Sequence, residues 1–163
     1  MKKYKIRING KFCELEVRDA ELLIETLRER LGLLGTRYSC LEGDCGVCTV
    51  LKNGKNVLSC LILTADCDGD DIVTIEGIGR GEAAHPLQKS FVEKGAIQCG
   101  FCTPGMILAA KALLDKNPQP EDTEIAKALD GNLCRCTGYV KIIDAVRAAS
   151  KKIDTNDQTP ISK

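Results

Sequence analysis

Residues 40–48 read Cys-Leu-Glu-Gly-Asp-Cys-Gly-Val-Cys, which places three thiols at C-x4-C-x2-C spacing within nine residues. Its two glycines allow the backbone to curl tightly and to aim N–H groups at the sulfurs. A four-cysteine zinc site wants two short CxxC-like knuckles, and this stretch does not supply that pattern. The chain contains ten cysteines in 163 residues. Its beginning, MKKYKIRING, alternates polar and apolar residues, and no run of 18 apolar residues occurs anywhere. Neither a signal peptide nor a membrane span is expected, and the chain reads as cytoplasmic. Thiols stay reduced in that compartment, so metal ligation is a better explanation for the cysteines than disulfides.

Upstream of the stretch, Tyr4, Ile6 and Ile8 alternate along a first strand, and Cys13, Leu15 and Val17 along a second. The Asn9-Gly10 pair between them is a hairpin signal. Asp19 can cap a helix over residues 20–31, with Leu23, Leu27 and Leu31 as its apolar stripe and Gly32 as its stop. Downstream, strands are expected over 48–51 and 57–63 around Asn53-Gly54. A last strand, Ile72 to Ile75, follows the acidic turn Asp66 to Asp71. Two hairpins, a helix and a final strand make a β-grasp-like arrangement ending near Gly77. The glycine-rich segment 77–81 reads as a linker.

Beyond the linker the periodicity is helical. Pro86 suits a first helical position, with Leu87 and Phe91 before Gly95. Thr103-Pro104 opens a second helix with Met106, Ala110 and Leu113 on one side, ending at Asn117-Pro118. Asp122 or Thr123 starts a third, with Ile125 and Leu129. Thr137 can cap a fourth, with Ile142, Val146 and Ala149. The expected fold class is α+β, in which a β-grasp-like domain (1–77) precedes a four-helix bundle (78–153). Residues 154–163 read as a flexible polar tail.

Eight of the cysteines sort into two sets. Cys40, Cys45, Cys48 and Cys60 follow the ligand spacing of plant-type [2Fe-2S] ferredoxins, with Cys60 supplied by a hairpin strand. Cys99, Cys102, Cys134 and Cys136 lie just before two helix N-termini, where unpaired N–H groups and the positive dipole end favour an anionic thiolate centre. Iron-sulfur ligation is preferred for both sets, although the second taken alone is also compatible with four-cysteine zinc. A thioredoxin-like CxxC lacks its βαβ context, and a Rieske centre needs two histidines where His85 is the only one. Cys13 reads as a small buried hydrophobe, and Cys67 has no assigned role.

Three stretches, residues 38–50, 95–106 and 131–139, resemble the two-cluster iron-sulfur subunit of the molybdenum hydroxylases, the xanthine dehydrogenase and aldehyde oxidoreductase family. The resemblance spans residues 3–150. It implies that the β-grasp-like domain (1–77) is ferredoxin-like, with a first [2Fe-2S] cluster on Cys40, Cys45, Cys48 and Cys60, and a second on Cys99, Cys102, Cys134 and Cys136. It also implies a large partner subunit with molybdopterin and another with FAD, assembled as a dimer of heterotrimers. Gln98 and Cys136 would then approach the partner's molybdopterin. The partner would insert oxygen from water into a substrate C–H bond, and this chain would pass the resulting electrons singly toward FAD. A hydroxylase or dehydrogenase of purines, nicotinate or similar heterocycles is the first choice. Carbon monoxide dehydrogenase, aldehyde oxidoreductase and 4-hydroxybenzoyl-CoA reductase use similar small subunits. From a different class, a free-standing zinc-binding or ferredoxin-like module is the alternative.

Lys plus Arg and Asp plus Glu number 23 each, so charge offers no argument for a nucleic-acid or anionic-membrane partner. Each oxidised cluster, counted with its four thiolates, brings a charge of about −2. Arg37, upstream of Cys40, and Arg135, between two cysteines, are candidates to offset it, or are solvated surface arginines. No acid, base or nucleophile suited to substrate chemistry is read in this chain, and His85 beside Pro86 reads as structural.

Overall fold

Two Asn-Gly turns organise the amino-terminal half of the computed structural model, which describes residues 1–153. The tail expected over 154–163 lies outside the described residues. Asn9 and Gly10 have φ of 50° and 80°, and Asn53 and Gly54 have 51° and 77°. These are the mirror-image turns whose twist matches that of paired strands. The first joins β1 (Lys2–Ile8) to β2 (Lys11–Val17), and the second joins β3 (Thr49–Lys52) to β4 (Lys55–Leu58). Between the hairpins runs β5 (Asp71–Val73), parallel to β1 and antiparallel to β3, giving a mixed sheet in the order β2-β1-β5-β3-β4. Asn9 fastens its turn to the end of β5 by accepting the Thr74 N–H at 2.9 Å.

Alternation decides which side of the sheet is buried. Ile6, Ile8, Leu15, Val17 and Ile72 turn inward and pack with Leu23 and Leu27. Those leucines belong to a helix that differs from the expected one. It starts as α1 (Leu23–Glu25), three residues late, and continues as a π-helical segment over Thr26–Arg30. Leu22, not Asp19, stands at its N-cap, with its N–H held by the Glu25 carboxylate at 3.0 Å. Glu21 precedes the cap and is only 2% exposed. Arg30 donates to both its oxygens at 2.5 and 2.7 Å, and the Thr26 hydroxyl donates to it at 2.8 Å. A buried carboxylate needs such partners, and Glu21 is therefore committed inward and unavailable to an ordinary first turn.

A second departure concerns Cys60. The expected strand over 57–63 ends at Leu58, and Ser59–Leu61 forms a short 3-10 turn that carries Cys60. The Ser59 hydroxyl and N–H both donate to the Cys48 carbonyl, at 2.7 and 3.3 Å, and draw the chain away from the strand path.

The carboxyl-terminal half consists of α2 (Pro86–Glu93), α3 (Thr103–Lys116), α4 (Asp122–Leu129) and α5 (Val140–Ser150). His85 caps α2, its Nδ1 accepting the Leu87 N–H at 3.2 Å ahead of Pro86. Leu87, Phe91, Met106, Ile125, Ile142 and Val146 are fully buried among the helices. Their core continues without a break to Val47 and Leu51, so α3 lies against β3 and the two halves share apolar contacts.

Arg30 holds the Glu21 carboxyl down to about 2, against the opposing effect of burial. A carboxyl whose pKa is depressed on folding adds stability above its unfolded value and loses it as pH falls through the folded one. Replacing Glu21 by Gln is therefore expected to lower the thermal midpoint at neutral pH. The gap between variant and parent, followed by circular dichroism, should close as pH falls from 4.5 toward about 2.

Candidate metal centres

The loop after Thr36 and the turn carrying Cys60 bring four thiols together as two close pairs. Cys40 and Cys45 sulfurs are 3.3 Å apart, and those of Cys48 and Cys60 are 3.4 Å apart. These are non-bonded separations, and all ten cysteines are free. The N–H groups of Glu42 and Cys45 point at the Cys40 sulfur from 3.5 Å. Their donation, Glu42 first, lowers the Cys40 thiol to about 6, whereas burial pushes Cys60 up to about 12. Gly43 has φ of +88° where the loop curls, and a Cβ there would lie 2.7 Å from a Leu61 methyl.

The second quartet is also paired. Cys99 and Cys136 sulfurs lie 3.5 Å apart at the surface, while Cys102, 9% exposed, faces Cys134 beneath them. Cys102 stands at the N-cap of α3 with no side-chain cap bond, so Thr103, expected as the cap ahead of Pro104, is instead the first residue of the helix. Thr137 departs from expectation. Helix α5 begins only at Val140, with Tyr139 at its cap in a left-handed conformation. Thr137 instead gives its N–H and hydroxyl to the Cys134 sulfur at 3.4 and 3.1 Å. Burial opposes ionisation of Cys134, but the Thr137 donors outweigh it and the thiol is lowered. Burial pushes Cys102 to about 12, the Phe101 N–H lowers Cys99, and the Cys99 contact raises Cys136. A cavity of about 360 Å3 opens between these sulfurs, with Phe101 and Tyr139 in its wall, and reaches Cys45 of the first quartet.

Gln98 lies exposed beside Cys99, and Arg135 is exposed between Cys134 and Cys136. Arg37 is half-buried and donates to the Gly100 carbonyl at 2.5 Å. It therefore reaches from the first loop into the second. Three further ties join the loops. The Leu133 N–H donates to the Cys45 carbonyl at 2.9 Å, and the Asn132 amide donates to the Gly46 carbonyl at 2.7 Å and the Thr49 hydroxyl at 3.1 Å. Gly46 has φ of +70°, and a Cβ there would stand 2.0 Å from the Gly131 carbonyl oxygen. Sequence reasoning assigned nothing to Asn132. Its position two residues before Cys134 was the only local signal, and its partner lies 86 residues away.

Each quartet offers two thiol pairs, Cys40 with Cys45 and Cys48 with Cys60 in the first, and Cys99 with Cys136 and Cys102 with Cys134 in the second. That donor set fits a two-iron group taking two thiolates per iron better than a single tetrahedral zinc. The comparisons agree. Residues 6–72 match the 2Fe-2S iron-sulfur cluster binding domain, and residues 74–147 match the [2Fe-2S] binding domain. The chain is therefore of the class that carries two [2Fe-2S] clusters.

The nicotinate dehydrogenase small FeS subunit of Eubacterium barkeri is 48% identical over 147 residues, covering 90% of this chain and 94% of that one. Quinoline 2-oxidoreductase from Pseudomonas putida 86 superposes with a TM-score of 0.88 at 43% identity, covering 92% of this chain and 94% of the matched chain. Aldehyde oxidoreductase from Desulfovibrio gigas gives 0.89 at 43% identity, covering 92% of this chain and 17% of a much longer polypeptide. This chain belongs to the family of iron-sulfur subunits of the molybdenum hydroxylases.

Asn132→Ala removes both buried bonds and leaves the Gly46 carbonyl without that donor. A loss of about 1–3 kcal/mol is expected, read as a lowered urea midpoint. Gly46→Ala meets backbone atoms in a left-handed conformation and should be more damaging than Asn132→Ala in the same measurement.

Proposed function

We propose that Cys40, Cys45, Cys48 and Cys60 hold one [2Fe-2S] cluster of this electron-transfer subunit, and that Cys99, Cys102, Cys134 and Cys136 hold the other. The observation that carries this reading is the two-by-two pairing of sulfurs at both sites. On this reading residues 1–77 form a β-grasp ferredoxin-like domain and 78–153 a four-helix bundle. Contacts of α2 with α3 and α5, and of α4 with α3 and α5, support the bundle.

When bound, each cluster takes up and releases one electron, which divides a two-electron oxidation into single steps. The chain's own contribution is to position and tune. N–H groups of Glu42 and Cys45 at the first site, and the Thr137 N–H and hydroxyl at the second, point donors at sulfur and favour the more negative state. Leu133 joins the two cysteine loops through backbone atoms alone, which fixes their separation.

The exposed face of the second site would meet the catalytic subunit, with Gln98 and Cys136 toward its molybdopterin. Exposed Ile97, Phe101, Leu133 and Val140 surround that face and give it apolar area to bury. The first site would pass electrons to an FAD subunit, in a cytoplasmic dimer of heterotrimers. The likeness to a nicotinate dehydrogenase subunit favours nicotinate or a similar N-heterocycle as the substrate of the complex.

Iron and acid-labile sulfide analysis of the purified chain should give about four iron per chain, and the reduced protein about two distinct EPR signals. Cys102→Ala should remove one signal and spare the other. Zinc without sulfide would sink the assignment.

A further inference from the structure

Arg37 belongs to the first cysteine loop by sequence and to the second by contact. Its guanidinium donates to the Gly100 carbonyl at 2.5 Å, and it lies over the Phe101 ring at 5.4 Å from the centroid. Gly100 and Phe101 are the two residues between Cys99 and Cys102. The carbonyl that Arg37 holds and the N–H of Phe101 belong to one planar trans peptide, so the two bonds point in opposite directions. With the oxygen turned to Arg37, that N–H faces the Cys99 sulfur. A cation at the oxygen end polarises the peptide and strengthens the dipole at its N–H end. The ring stack fixes the guanidinium in place. Arg135, closer in sequence, is exposed and has water as a competing partner.

We infer that Arg37 is a positioning residue that raises the reduction potential of the second site from the first domain, acting through the Gly100–Phe101 peptide. This rests on the assignment of Cys99, Cys102, Cys134 and Cys136 to one cluster. Reduction adds negative charge there, and the oriented N–H with the cation behind it favours the reduced state. Arg37 thereby sets the difference in potential between the two sites, and with it where an electron rests along the chain.

The test is an EPR-monitored redox titration of the iron-loaded chain, with total iron and both signals verified first. Arg37→Gln is expected to disfavour reduction of the second site by about tenfold, a downward shift of about 59 mV for a one-electron couple, with the first site nearly unmoved. Arg37→Lys keeps the charge and should fall between Gln and the parent. Phe101→Leu, which removes the stack but leaves the peptide, should give a smaller shift in the same direction. No shift in Arg37→Gln, an equal shift at both sites, or identical behaviour of Lys and Gln would overturn the inference. Such a result with full iron and two signals leaves the cluster assignment standing. Loss of either signal in the parent chain would fail the assignment itself. If Arg37→Gln does not load the second site, the Arg37→Lys and Phe101→Leu variants decide between the outcomes, and parental potentials in both would overturn the role.

Discussion

The structure depends on a buried polar seam in which Asn132 and Leu133 donate to the carbonyls of Gly46 and Cys45. Buried carbonyls need donors, and here the donors come from the opposite half of the chain. The seam lies between a cysteine of the first quartet and one of the second, so whatever shifts one loop is felt by the other. Gly46 is small at the point where any side chain would meet the Gly131 carbonyl. Apolar packing of Val47 and Leu51 against α3 then closes the contact around the seam and excludes water.

Much of this architecture can be read in the chain because it rests on local chemistry. Asn-Gly pairs prefer positive φ, so both hairpins appear at the expected residues. Pro86 behind the His85 cap starts α2 where local capping rules place it, and α3 begins at Thr103, one residue earlier than a Thr103 cap before Pro104 would give. The misreadings occur where a distant partner overrides local preference. Glu21 is drawn inward by Arg30, which displaces the expected Asp19 cap, and Ser59 bends Cys60 out of a strand by bonding to Cys48. Thr137 is a good cap by type, but the Cys134 sulfur claims it and α5 starts later. Spacing picked out the eight cysteines that the structure draws into thiol pairs, whereas the contacts between the two loops were invisible to it. Periodicity reports what a segment buries and not what it meets.

The two sites differ in their relation to solvent. Cys48 and Cys60 sit beneath the sheet's edge at 2% and 3% exposure, while Cys99 and Cys136 are both exposed. A low-dielectric setting disfavours added negative charge, and an open one tolerates it. Burial therefore separates the electrostatic character of the two sites even before hydrogen bonds are considered. In both sites one pair lies deeper than the other, so each has an inner wall fixed by the fold and an outer wall that a partner surface can complete.

The seam also bears on how such a chain matures. Gly46 and Asn132 are 86 residues apart, and the parallel partner of β1 does not arrive until β5. Contacts of that separation close late, after most of the polypeptide is available. A nascent chain that has released only its amino-terminal half has the Cys40–Cys48 loop without the donors of Asn132 and Leu133. The first cysteine loop can therefore take up its full set of hydrogen-bond partners only once Asn132 and Leu133 have been made.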